Sequence, residues 1–277
     1  MRTPRVALGT AFGPVLGVVC GVLCGMVVAG AGSVTGPVTR TIRVPGTTVD
    51  FTLVRCPAPD GGADLWVLQT EVPWELYDVF VYALDEGEGG DADAVTRPSK
   101  PYVPPDRGFG HEGFPAISMT RGATIQFCMW LSAATGVEFR LPTREEWSFL
   151  ASGGTGAPYC CGLTAETLDT AAWTARNSGH TPHRTGYRQP NEFGLFDVHG
   201  NVAEWVEAED RPPTAMGGSY RDAPEDCTSS SAQTQDNSWN ASDPQIPKSV
   251  WWLADCNWVG FRFVTDELPA KEDDDGE

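Results

Sequence analysis

Beyond Gly153 the chain carries no convincing helical period, and nearly half of its length reads as turns, short β-like runs and tryptophans. Whatever it folds into must be built largely from loops. Glycine (31) and proline (22) are spread through the 277 residues at a frequency that helix interiors do not tolerate. Ten Trp and twelve Phe nevertheless demand a packed core, because each aromatic side chain buries a large apolar area. A helical bundle, a long coiled coil and a disordered chain are excluded together. The formal charge of −18, with no Lys/Arg cluster, speaks against nucleic acid or an anionic membrane as a partner, since their phosphates repel such a surface.

The N-terminus begins MRTPR and then runs uncharged from Val6 to Val28, with small residues at Ala29, Gly30 and Ala31. Basic flank, apolar middle and small-residue site describe an export signal over residues 1–31, or an uncleaved membrane anchor of the same length. Either reading puts the remainder outside the cytoplasm, periplasmic, secreted or membrane-anchored, with membrane contact only through this segment if it is retained. Cys56, Cys128, Cys160, Cys161, Cys227 and Cys256 lie after it. In an exported chain an even count suggests disulfides, and no CxxC spacing points to zinc.

Short β-like runs at 41–44, 49–54 and 65–72 are separated by Pro, Gly and Asp clusters. The pattern predicts a helix over Trp74 to Leu84, with Leu76, Val79, Phe80 and Ala83 on one face. Residues 86–112 read as a long loop. Thr120 is positioned to cap a helix running to about Ala134, with Ile125, Cys128 and Leu131 as its buried stripe and Gly136 as its stop. A strand is expected at VEFRLP. In TREE from Thr143, Glu146 reaches back to the cap amide, a capping box that predicts a short helix over Arg144 to Ala151. A domain over 40–266 and a solvated acidic tail over 267–277 complete the organisation.

Four segments then occur in order: FCMWLSAATGVEFRLPTREEWSFLASGGT (Phe127 to Thr155), PNEFGLFDVHGNVAEWV (Pro190 to Val206), MGGSY (Met216 to Tyr220) and VGFRFV (Val259 to Val264). Together they resemble the signature segments of the formylglycine-generating enzyme, or sulfatase-modifying factor, family. Weaker similarity extends back to about Gln69. The resemblance implies an α+β, C-type lectin-like fold of the formylglycine-generating enzyme type, loop-rich, with two helices and small antiparallel sheets. That agrees with the helix-poor composition, but the fold serves enzymes and binding proteins alike.

Asp197 and Glu204 offer hard carboxylate oxygens on either side of a turn at Gly200, the kind of donor set Ca²⁺ takes. The matching segment in family members binds calcium, which implies the Asp197 side chain, the Gly200 and Val202 carbonyls and the Glu204 side chain as ligands of a structural ion. Asn177 is a candidate for a second such site. The family's enzymes use two cysteines just after GGSY to hold copper and oxidise a substrate cysteine with O₂; two thiolates select Cu(I). Those positions are Asp222 and Cys227 here, so only the second is a cysteine. The family's tryptophan in this turn is Ala203. Copper is therefore not expected.

Asp222 and Cys227 remain the candidate catalytic positions, and Ser219 and Tyr220 the candidate substrate-binding ones. Cys256 precedes VGFRFV, whose strand should run near GGSY, so Cys227 and Cys256 are expected either as a structural disulfide or as a thiol pair. Cys128 reads as a buried free thiol. His180 and His183, in HTPH, have a spacing that suits a metal or a plain turn. Trp251, Trp252 and Trp258 read as core, or as platforms for a ligand. The expected function is a calcium-stabilised binding module for a protein, peptide or glycan ligand. The alternative is an oxidoreductase of the same superfamily acting on a thiol or cysteine through a rearranged metal site.

Overall fold

The computed structural model describes residues 36–86, 96–99, 103–207 and 212–269. Residues 1–31, read above as an export signal or anchor, much of the loop expected over residues 86–112 and all but the start of the acidic tail lie outside these residues. No helix among the described residues is long and apolar enough to cross a membrane.

Three helices form where local chemistry specifies them. The first, α1 (Trp74–Tyr82), buries Leu76, Val79 and Phe80 as expected, with Trp74 and Tyr77 besides, and Ala83 closes it in the left-handed region at φ 52°. The second, α2 (Arg121–Thr135), starts at Thr120, whose hydroxyl accepts from the Ala123 amide, and ends at Gly136 (φ 78°). Its buried face centres on Phe127 with Cys128 and Leu131; Ile125 is only half-buried against it. The third, α3 (Arg144–Ala151), carries the expected capping box, with Thr143 and Glu146 each satisfying the other's amide. The resemblance implied two helices, and α1 is the third.

Strands β1 (Thr39–Arg43), β2 (Asp50–Cys56), β3 (Leu65–Leu68) and β8 (Val264–Thr265) form an antiparallel sheet in the order β1-β2-β3-β8, so the chain's last strand closes on its third. A second sheet orders β6 (Ala232–Thr234), β5 (Thr214–Met216), β4 (Ala203–Trp205) and β7 (Val259–Gly260). In it β4 and β7 run parallel, a departure from the all-antiparallel expectation. VEFRLP is not a strand: Arg140 makes an isolated bridge to Val264 and no ladder follows.

An aromatic cluster organises the main core. Phe127 packs against Tyr77, Phe80, Phe261 and Phe263 at ring separations of 5.2–6.0 Å. Each such ring contributes about 1.5–3 kcal/mol on burial. Trp251 and Trp252 belong to this core, while Trp258 is only partly covered. The core therefore clamps α1 and α2 against the VGFRFV segment between β7 and β8, and the loops of the second half are left to shape the surface around GGSY.

Candidate functional site

The GGSY segment follows β5 and is held against the DVHGN turn: the Gly200 amide donates to Gly217 and the Tyr220 amide to Asn201. Gly218 must be glycine here, since at φ 69° an added Cβ would lie 2.8 Å from both the Asp226 carbonyl and the Cys227 sulfur. The turn that follows brings Asp222 back onto Ser219. One carboxylate oxygen of Asp222, Oδ2, accepts from the Ser219 amide (2.8 Å), the Ser219 hydroxyl (2.7 Å) and Gln233 Nε2 (2.9 Å). Gln233 Oε1 accepts in turn from Trp258 Nε1 at 2.8 Å. Asp222, the position that the resemblance sets against the family's first cysteine, is thus the hub of a hydrogen-bond network.

Cys227 is fully buried, and its thiol donates to the Ser219 carbonyl at 3.7 Å. Burial first, and then the carboxylates of Asp222 and Asp226, push its pKa up to about 12. It is a protonated, unreactive thiol at neutral pH. Cys227 and Cys256 are both thiols in the structure and sit in separate apolar clusters, Cys227 with Leu168 and Ala172, Cys256 with Tyr220 in the main core. The expected disulfide between them is not formed. Cys128 is a buried free thiol, as expected.

Copper does not fit these donors. Cu(I) needs a second soft thiolate, and Asp222 supplies a hard carboxylate already engaged by three N–H and O–H donors. Ser219 is buried with its hydroxyl committed to Asp222, so it presents nothing to a substrate. Tyr220 is also nearly buried, yet its edge reaches a polar cleft of about 410 Å³ lined by Phe109, His180, Tyr220, Arg221, Asp255 and Asn257. The Tyr220 hydroxyl donates to Asn257 Oδ1 at 3.1 Å, and the Arg221 guanidinium stacks over Trp258 at 4.0 Å from its centroid. The two histidines of HTPH part company: His180 faces this cleft, whereas His183 stacks on Trp173 at 3.7 Å and donates to the Ser178 carbonyl. A smaller cavity of about 160 Å³ lies under Trp252 and is lined by no residue of the GGSY segment.

Beneath the DVHGN turn lies a buried charge cluster, of which the sequence indicated only two members. Glu71, Asp197, Glu204 and Arg262 are each 2% exposed or less. Arg262 grips Glu204 through two bonds, Nε to Oε2 at 2.7 Å and Nη2 to Oε1 at 2.6 Å, and Trp147 Nε1 adds a third at 2.8 Å. Burial pulls the Arg262 pKa down, but Glu204, Glu71 and Asp197 outweigh it and hold the guanidinium charged. Glu71 accepts from the Val202 amide (2.9 Å) and Asn201 Nδ2 (2.6 Å), while burial, then Asp197 and Glu204, raise its pKa well above the carboxylate range. Asp197 Oδ2 accepts from the Gly186 amide at 2.6 Å, and its Oδ1 is buried without any partner. Burial foremost lifts the Asp197 pKa to about 6.

Three buried carboxylates are set against one guanidinium, which pairs with Glu204 alone, an imbalance that only protons or a cation can correct. The orphaned Asp197 oxygen is of the donor type a hard cation takes, and Glu204 Oε1 retains one lone pair beyond Arg262. Asn177 is used otherwise: its amide accepts from Thr174 and donates to Ala172, fastening a turn.

Comparison with known proteins follows the same pattern. The Sulfatase-modifying factor enzyme 1-like domain matches residues 36–267. The formylglycine-generating enzyme of Mycobacterium tuberculosis is 29% identical over 199 residues, 56% of this chain and 58% of that protein. The inactive C-alpha-formylglycine-generating enzyme 2 of Bos taurus is 28% identical over 106 residues, 35% of this chain and 33% of the relative. The chain thus spans about half or less of the curated relatives it matches. Among solved structures, Treponema denticola variable protein 1 superposes with a TM-score of 0.58 at 20% identity, covering 84% of this chain and all of that one. PvdO from Pseudomonas aeruginosa gives 0.55 at 19%, covering 84% and 92%. With the family's model matched over nearly all the described residues and the fold shared with these structures, the chain belongs to the formylglycine-generating enzyme, or sulfatase-modifying factor, family.

Proposed function

We propose that this protein is an exported, non-catalytic member of its family, a binding module whose polar cleft beside Tyr220 and Arg221 receives a peptide or glycan. One observation carries the reading: Asp222 supplies a carboxylate whose Oδ2 is held by Ser219 and Gln233, where a copper site needs a thiolate, and the remaining thiol at Cys227 is buried and protonated. A copper oxidase needs two accessible thiolates at this place, and the network leaves none. The cleft lining supports the binding role, because a stacked Arg, an Asp, an Asn and aromatic edges recognise polar ligands without chemistry. The family contains both an enzyme and a relative described as inactive, so membership alone is neutral.

The test is copper binding and oxygen uptake with a CxPxR peptide. Wild type is expected to show neither. Asp222→Cys should remain inactive as well, because the exchange strips the Ser219 amide and Gln233 of their acceptor instead of building a thiolate pair on a formed site. Substrate-dependent oxygen uptake by the wild-type protein would overturn the reading.

Calcium belongs to the same proposal as a structural ion beneath the turn, held by Asp197, Gly200, Val202 and Glu204. An ion present at 100 times its Kd adds about 2.7 kcal/mol to folding. Chelation should therefore lower the melting temperature of the wild type. Asp197→Asn should lose that response and melt higher than chelated wild type at pH 8, since it removes a buried, half-satisfied charge while suiting the left-handed backbone (φ 55°). Melts insensitive to chelator in both proteins would remove calcium from the account.

A further inference from the structure

Cys160 and Cys161 take no part in anything assigned so far. Neighbouring side chains in extended backbone point to opposite sides. Here Cys161 lies in the left-handed region (φ 57°), and both sulfurs fall within 4.8 Å of one another and of a Glu192 carboxylate oxygen. Glu192 arrives from 31 residues further along and is held in place, because its Oε1 accepts the Cys161 amide at 2.6 Å. Its second oxygen occupies room that Gly153 leaves: an added Cβ there would stand 2.0 Å from Oε2. The Cys160 amide is fixed by donating to His199 Nε2 at 3.2 Å. Cys160 is buried, while Cys161 and Glu192 are exposed, so the cluster opens to solvent on one side.

We propose that Cys160, Cys161 and Glu192 form a zinc site with a fourth position open to water or an incoming ligand. The donor set selects the metal. Zn²⁺ accepts thiolate and carboxylate together in a tetrahedral shell, and three protein ligands with one free position is a familiar arrangement for it. Cu(I) would leave the carboxylate unused, and Ca²⁺ or Mg²⁺ would reject the sulfurs. In the metal-free protein burial foremost keeps both thiols protonated. Binding replaces their two protons by one Zn²⁺, and the carboxylate enters as an anion, leaving the site with a net charge of −1. No other group of three or more such side chains converges among the described residues.

The experiment titrates the full chain, kept reduced with a phosphine, with Zn²⁺ and separately with Co²⁺. One metal per chain, release of about two protons and an ultraviolet thiolate-to-cobalt band with tetrahedral visible bands are expected. Cys161→Ser should roughly halve the thiolate band at saturating cobalt, with only Cys160 left to supply a sulfur, and weaken zinc by more than about 100-fold, beyond what losing an outer-shell partner costs. Glu192→Gln should weaken it roughly 10-fold, and Gly153→Ala, which displaces the carboxylate without removing a ligand, should do the same. The exposed Cys161 and Glu192 variants should melt like wild type without metal, which separates lost binding from lost folding. A cobalt spectrum without thiolate bands, or a Cys161→Ser variant that keeps the full wild-type band and affinity, would overturn the proposal.

Discussion

Replacing Arg262 by Met should cost on the order of 3–5 kcal/mol of folding stability, the largest effect expected of any single substitution outside the aromatic core. The guanidinium is 1% exposed and pairs with Glu204 in the only described ion pair in which both side chains are fully buried. Its removal leaves Glu71, Asp197 and Glu204 buried without the positive charge that offsets them. Denaturant titration at pH 7 should show a much lower midpoint, or no folded baseline at all. The double variant Arg262→Met with Glu204→Met should recover a large part of the loss, because removing both charges is far cheaper than stranding one. The recovery cannot be complete, since Trp147 Nε1 would lose its acceptor. A single Arg262→Met variant as stable as wild type would show that the cluster is already neutralised by protons.

Acid should weaken the fold through His199. Burial foremost lowers its pKa from 6.5 to about 4, against a smaller opposing effect of the Cys227 backbone, and its Nε2 accepts the Cys160 amide. The folded state holds the ring neutral where the unfolded chain would protonate it. Its contribution, about 3 kcal/mol, is full above pH 6.5 and is lost as pH falls through 4. Asp197 works in the opposite sense: its raised pKa means that its contribution is present below 3.8 and is lost as pH rises through about 6. The clean readout is therefore a difference. His199→Gln keeps an acceptor for Cys160 and should flatten the fall in stability between pH 6.5 and 4 relative to wild type. Parallel pH profiles would exclude His199 as the acid-sensitive group.

What could be read from the sequence was what is encoded locally. Thr120, Gly136 and the Thr143–Glu146 box fixed two helices to within a residue, because caps act over three or four positions. VEFRLP misled because alternation says nothing about a partner, and Arg140 finds only Val264 across from it. At the site, Asp197 and Glu204 announced themselves by type and spacing. Glu71 did not, since it joins them from 130 residues away in a segment that reads as ordinary strand. Asp222 was legible as a departure from the family pattern, but its use as a turn acceptor depends on Gln233, which lies on another strand. The Cys160–Cys161–Glu192 group needed a left-handed residue and a glycine notch, neither of which any spacing rule anticipates.

Arg262 also sets when the chain can fold. Its Nη1 donates to the Leu68 carbonyl, 194 residues earlier, and its Nη2 to Phe196, while β8, two residues on, completes the sheet begun by β1 to β3. Contacts of such long range impose a large loop-closure cost before any reward, so folding is slow and late. A ribosome must release the chain through Thr265 before the lock can engage. Until then strands β1 to β3 stand without the edge partner that closes their sheet.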